Sequence, residues 1–301
     1  MATATNLNQR FGIDGVITFS ERPNGFVVLE VNNAHASATV AMQGAHLMSF
    51  QPKGEQPLIW ISPEAKLAAG KSIRGGVPVC WPWFGPHESK GALPAHGFAR
   101  TVPWRLNQAH LLPGGETRLE FELISSPLSR SQWPQPCTVR NIITIGKSLR
   151  HELVTTNLDS KPMLIGEALH TYFQVGDLRK VTVSGLQGCE YLDKVNAFAR
   201  LKQIGPVGFG GEVDRIYLNP PSRCEIRDPT LQRRIVIRAS GSRSTVVWNP
   251  WIEKAAQMGD LGPEGYLNML CVETANAAED TVTLAPGAQH RMVANYAIAA
   301  L

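Results

Sequence analysis

The chain has no long apolar run. None of its hydrophobic stretches reaches the roughly 20 residues that a membrane-crossing helix requires. The first residues, MATATNLNQRFGIDG, lack the basic patch, apolar stretch and cleavage-like site of an export signal. A cytoplasmic protein with no membrane contact is therefore expected. Cysteine is sparse and unpatterned: Cys80, Cys137, Cys189, Cys224 and Cys271 are odd in number, widely spaced and never form C-x-x-C. That argues against a disulfide framework and a zinc ribbon, and predicts reduced thiols. An excess of one charge is also lacking. Twenty-nine Lys and Arg against 25 Asp and Glu leave a net charge of +4, and even ARLKQ and RRIVIR alternate with apolar residues, so a nucleic-acid footprint is not expected. Linkers, repeats and low-complexity tracts are missing too. With 301 residues and 43% hydrophobic content, the chain can bury a sizeable core, and residues 1–301 read as one domain.

What is present has the periodicity of strands. In TRLEFELI, Leu119, Phe121 and Leu123 point one way while Arg118, Glu120 and Glu122 point the other. Similar signals occur in FVVLEV from Phe26, SATVAM from Ser37, IITIG from Ile142, SLRHELVTTN from Ser148, VTVSG from Val181, RRIVIRA from Arg233, STVVWN from Ser244 and HRMVANYAIA from His290. Only WIEKAAQMGD reads as a helix, with Pro250 before it and Gly259 able to end it. Many strands with few crossover helices predict a mainly β protein, a large antiparallel sandwich with few short helices.

The segment from Arg74 to Arg100, RGGVPVCWPWFGPHESKGALPAHGFAR, fits neither period. Its glycines and prolines fix the backbone, Trp81, Trp83 and Phe84 offer flat faces, and the terminal arginines can pair with an anion through planar forks. A phosphorylated sugar suits such a segment. A turn-rich connector whose aromatics plug the core suits it equally. A metal site from Cys80, His87 and His96 matches no familiar spacing, so no metal is expected.

Two further places carry chemistry. GEALHTYFQVGD sets His170 in an apolar, strand-like run near Glu167, and LNMLCVETANA sets Glu273 at the end of another apolar strand. A carboxylate in such a setting needs a partner or takes a raised pKa. An imidazole facing it would be equipped to move one proton on and another off a substrate. The plain alternatives are a core histidine bonded to backbone and a strand-end salt bridge.

RGGVPVCWPWFGP with HGFAR, then GEALHTYF, Asp-Arg-Ile-Tyr from Asp214, VVWNPW and CVETAN occur in this order over most of the chain. Together they resemble the hexose-6-phosphate mutarotases, or glucose-6-phosphate 1-epimerases, of the galactose-mutarotase-like superfamily, which has a large antiparallel β-sandwich fold. The resemblance implies interconversion of the α and β anomers of a hexose 6-phosphate, without a cofactor. It implies Glu273 as general base at the anomeric hydroxyl and His170 as general acid at the ring oxygen. His96 would hold the sugar, Asp214 would accept from a sugar hydroxyl, and Arg74 and Arg100 would engage the phosphate. One departure is Ala95, where some relatives carry Gln.

Two rival functions remain open on the sequence. A mutarotase of unphosphorylated aldoses would share the acid–base pair without using the arginines, and a non-catalytic phosphosugar-binding sandwich would not need Glu273. A glycosidase is disfavoured, because the second carboxylate, Asp214, looks like a substrate ligand. The expected partner is a small phosphorylated hexose, and a monomer is the default.

Overall fold

Alternating apolar residues build this molecule almost entirely from antiparallel strands. The computed structural model describes residues 3–87 and 91–301. One eight-stranded sheet runs in the order Ala199–Lys202, Glu190–Asp193, Val213–Leu218, Ser244–Asn249, Met269–Asn276, Glu167–Leu169 and Val79–Cys80, with Tyr172–Gln174 also paired to Met269–Asn276. The second runs Thr182–Ser184, Arg223–Asp228, Arg233–Ser240, Gln289–Ala300, Leu149–Asn157, Cys137–Ile145, Thr117–Leu123 and Trp104–Leu111. A four-stranded meander, Ile17–Arg22, Phe26–Asn32, Ala36–Ala41 and His46–Pro52, precedes both.

All nine runs read as strands in the sequence lie in strands of these sheets, and the mainly β antiparallel sandwich expected from them is the observed architecture. The helix after Pro250 forms but stops at Ala256, short of Gly259. Among the described residues there are three further short helices, Ala4–Phe11, Pro127–Gln132 and Gly265–Asn268; the first lays Ala4, Leu7 and Phe11 against the core. None of the described helices is long and apolar enough to cross a membrane. The five cysteines are unpaired.

The two large sheets share an apolar layer. Leu270 and Val272 of one meet the cluster that contains Leu153, Ile237 and Tyr296 of the other, and Phe173 packs edge-on against Tyr296 at 5.2 Å. Burying each such side chain contributes about 1.5–3 kcal/mol. Because side chains alternate along a strand, the next set, Met269, Cys271 and Ala275, falls on the opposite face, together with Val246, Trp248 and Tyr172. Glu273 has the same parity as that second set. It lies inside the strand Met269–Asn276 and not at its end, because the ladder continues through Thr274 to Asn276.

His170 also departs from the continuous strand its sequence suggests. Glu167–Leu169 and Tyr172–Gln174 are separate short strands on the same partner, with Leu169 opposite Thr274 and Tyr172 opposite Cys271. The ladder is interrupted between them, since the His170 N–H donates to Pro78 O and the Thr171 N–H to Leu169 O. The register is kept across the interruption. It sets His170 opposite Glu273, on one face, where directly opposed side chains meet.

Candidate active site

That face of the sheet forms the floor of a cleft of about 290 Å³. His170 Nε2 lies 3.4 Å from Glu273 Oε1, and the two side chains are 11% and 1% exposed. His170 Nδ1 and Glu273 Oε2 have no hydrogen-bond partner within the protein. Burial drives both groups toward their neutral forms. It holds the Glu273 carboxyl well above the ordinary range, more strongly than Lys194 and Arg100 pull it down. Burial, reinforced by the neighbouring His96 and by the charges of Arg100 and Arg74, holds the His170 imidazole well below its ordinary value.

Cross-strand register assembles the rest of the floor. Asp214 pairs with Trp248, Trp248 with Cys271 and Cys271 with Tyr172, so one row crosses four strands. Tyr172 stacks on His170, with ring centroids 4.9 Å apart and planes inclined by 15°. Trp248 meets both rings edge-on. Asp214 is buried, and its carboxyl is raised by that burial despite a 2.8 Å ion pair with Lys194. Lys194 is fixed twice to the same residue, since its N–H donates to Asp214 O.

The Arg74–Arg100 segment forms one wall. It follows the sheet edge through Val79–Cys80, which pairs with Glu167–Leu169, and then turns back so that Trp81 bridges to Gly97. Gly97 has φ +70°, and a Cβ there would lie 1.9 Å from Trp81 O, so only glycine allows the return. At Gly76 a Cβ would lie 2.3 Å from His46 Nε2, in the bend that follows Arg74. His96 is clamped to Gly85: its N–H donates to Gly85 O at 2.7 Å, and its Nδ1 accepts from the Gly85 N–H at 3.3 Å. Nδ1 as acceptor makes Nε2 the protonated nitrogen, a donor on a ring that lines the cleft. Burial and the nearby cations lower the His96 pKa to about 3, which keeps the ring neutral.

Cations crowd the mouth. Arg74 Nε donates to Asp260 Oδ1 at 3.0 Å, and its Nη1 donates to the Tyr172 hydroxyl at 3.1 Å. Arg100 Nη2 donates to Ala95 O at 2.9 Å. Lys254, from the helix Trp251–Ala256, pairs with Glu212 and also lines the cleft.

All six residues singled out in the sequence, Arg74, His96, Arg100, His170, Asp214 and Glu273, therefore line this one cleft. Sequence reading missed Lys194, Lys254, Asp260, Tyr172 and Trp248. The first three are lone charges indistinguishable from solvated surface residues, and the two aromatics stand inside GEALHTYF and VVWNPW with no chemical signal of their own. Of the aromatics considered for sugar stacking, Trp81 is buried against Phe98 and Trp133 and donates to Thr155 Oγ1. Trp83 donates to Pro94 O. Neither lines the cleft; Phe84 does, edge-on to His96.

Comparison with known proteins identifies the family. A protein from Escherichia coli K12, provisionally named glucose-6-phosphate 1-epimerase, is 41% identical over 253 residues, covering 84% of each chain. A similarly named protein from Cenchrus ciliaris is 36% identical over 279 residues, covering 89% of this chain and 84% of that one. The crystal structure of YeaD from Salmonella typhimurium, provisionally described as a mutarotase, superposes with a TM-score of 0.90 at 34% identity, covering 97% of this chain and 96% of that one. A galactose mutarotase-like protein from Clostridium acetobutylicum shares the fold at 13% identity, with a TM-score of 0.70 and coverage of 95% and 98%. The model of the aldose 1-epimerase family matches residues 27–297, and the chain belongs to that family.

Proposed function

We propose that the protein interconverts the α and β anomers of a hexose 6-phosphate, glucose 6-phosphate foremost, by opening and reclosing the sugar ring. The observation that carries this reading is the His170–Glu273 pair on the floor of a cleft whose walls present Arg74, Arg100, Lys194 and Lys254. Glu273 takes the proton of the anomeric hydroxyl while His170 gives one to the ring oxygen. The ring C–O bond breaks and an aldehyde forms. Rotation about the bond between the first two carbons presents the other aldehyde face, and closure with the roles reversed gives the opposite anomer. One proton is removed and one returned, and no electrons leave the substrate, so the chemistry calls for no redox or group-carrying cofactor.

Ring opening transfers a net proton from His170 to Glu273 through the sugar. Burial favours the neutral imidazole and the neutral carboxyl, the protonation state that accompanies the open chain. The carboxylate–imidazolium pair that opens the closed ring is correspondingly the minor form of the free protein, and the cost of reaching it is returned when the ring opens. His96 Nε2–H serves as a neutral donor to the ring oxygen or anomeric hydroxyl. Asp214, steadied by Lys194, accepts from a sugar hydroxyl. Arg74 and Arg100 hold the phosphate, and the names of the relatives support a phosphorylated glucose.

The test is anomer exchange measured by NMR on glucose 6-phosphate and on free glucose at equal concentration. Faster exchange of the phosphate is expected. Equal rates would remove the phosphate-specific reading and leave mutarotation of free aldoses, which the existing pairing of Arg74 with Asp260 would then suit.

A further inference from the structure

The chemistry proposed above leaves the one further carboxylate among the described residues of the cleft, Asp260, without a task. Asp260 sits in the turn between the helices Trp251–Ala256 and Gly265–Asn268, and its carboxylate faces Arg74, the same guanidinium assigned to the phosphate. The pair is partly exposed, at 25% and 29%. The turn is anchored, because Leu261, the next residue, is fully buried in the cluster that contains Trp60 and Tyr172. The contact is also one-sided. A single carboxylate oxygen meets Nε, and Nη1 goes to Tyr172, so Arg74 is not closed off by the two-pronged pairing that a free carboxylate favours.

We infer that Asp260 limits how tightly the cleft grips the phosphate, and that it thereby keeps substrate exchange fast. The inference rests on the hexose-phosphate reading. In an anomer interconversion the substrate, the open-chain intermediate and the product carry the same phosphate. A tighter hold on that group stabilises all of them alike, so it lowers KM, does not speed the chemical step, and slows departure of the product. A negative charge fixed beside the phosphate's own arginine weakens exactly that uniform hold. Tyr172 makes the location consequential, since its hydroxyl accepts from Arg74 while its ring stacks on His170. The strength of the grip and the position of the acid are set at one guanidinium.

The experiment compares wild type with Asp260→Asn and Asp260→Glu, using anomer-exchange kinetics on glucose 6-phosphate and calorimetric titration with inorganic phosphate. Asn preserves an acceptor for Arg74 Nε and removes only the charge; Glu restores the charge. Asp260→Asn should lower KM and tighten phosphate binding by about tenfold, the effect of removing a like charge near the anion in a half-exposed cleft, with no rise in kcat. The gain should shrink at high salt, and Asp260→Glu should return toward wild type. Melting curves show that each variant is folded. An unchanged or raised KM in a folded Asp260→Asn protein, with wild type binding phosphate normally, overturns the role of Asp260 alone. Failure of the wild type to bind phosphate, together with equal rates on glucose and glucose 6-phosphate, overturns the underlying reading of the cleft.

Discussion

Replacing Glu273 with Gln should lower activity and raise stability at once. Glu273 is 1% exposed, and its Oε2 has no partner within the protein. Burial is the leading cause of its raised carboxyl pKa, and Asp214 adds to it against Lys194 and Arg100. Gln has nearly the same shape, so packing is retained, but it cannot take a proton from the anomeric hydroxyl. Loss of a general base costs roughly a hundred- to ten-thousandfold in rate, or about 2.7–5.4 kcal/mol of barrier. Stability moves the other way. A carboxyl whose folded pKa lies above its unfolded one makes the fold most stable at low pH. That contribution is lost as pH rises from the ordinary value near 4.5 through the folded value. Gln has no such loss, although its amide still lacks a partner for one end, so the net gain near pH 8 should be about 1 kcal/mol. Anomer exchange by NMR, corrected for spontaneous mutarotation, reads the first effect. Thermal melting at pH 5 and pH 8 reads the second, and the difference between variant and wild type should widen with pH. A variant that loses activity and stability together would make Glu273 a structural residue, and one that keeps its rate would leave only a sugar-binding protein.

Two other outcomes follow from the same geometry. The pH–rate profile should be a broad plateau, because the competent pair carries one shared proton: the acid limb lies below the usual histidine range and the alkaline limb above the usual carboxylate range. Limbs at ordinary values, with the rate rising through 4.5 and falling through 6.5, would refute the inverted order, and kcat/KM measured between pH 4 and pH 9 decides it. Arg74→Ala and Arg100→Ala should each raise KM for glucose 6-phosphate by about 10- to 150-fold, since a hydrogen bond to a charged group contributes roughly 1.5–3 kcal/mol. In steady-state kinetics kcat should change far less, and a fall confined to kcat would place these arginines at the reacting carbon instead.

Much of the architecture was legible because period-2 patterning is a local property. TRLEFEL and STVVWN announce strands without reference to the rest of the chain. Strands that face solvent give a weaker signal: Ala199–Lys202, with three of its four residues exposed, alternates only as the short run Ala-Arg-Leu-Lys. The break at His170 was invisible for a different reason. It arises from where two backbone N–H groups go, to Pro78 O and Leu169 O, and neither destination is encoded in the run GEALHTYF itself. The site divided in the same way. His170, Glu273 and the arginines stood out as chemical residues in unusual settings and as part of recognisable motifs. Lys194, Lys254 and Asp260 become meaningful only when register and turns bring them to the cleft. Trp81 resolves an alternative left open by the sequence: beside Pro82, the ring is used as core and is 1% exposed.

The groups proposed to transfer protons and those proposed to hold the anion stand on different kinds of backbone. His170 and Glu273 face each other across a ladder whose register a single-residue slip would destroy. Arg74, Arg100, Lys194, Lys254 and Asp260 are carried by connecting turns and short helices around the rim. Reaction and selectivity are thereby separable in heredity as well as in design. Rim segments can be exchanged to suit a different charged tail, while the hydrogen-bonded scaffold beneath continues to hold the same pair at the same hemiacetal.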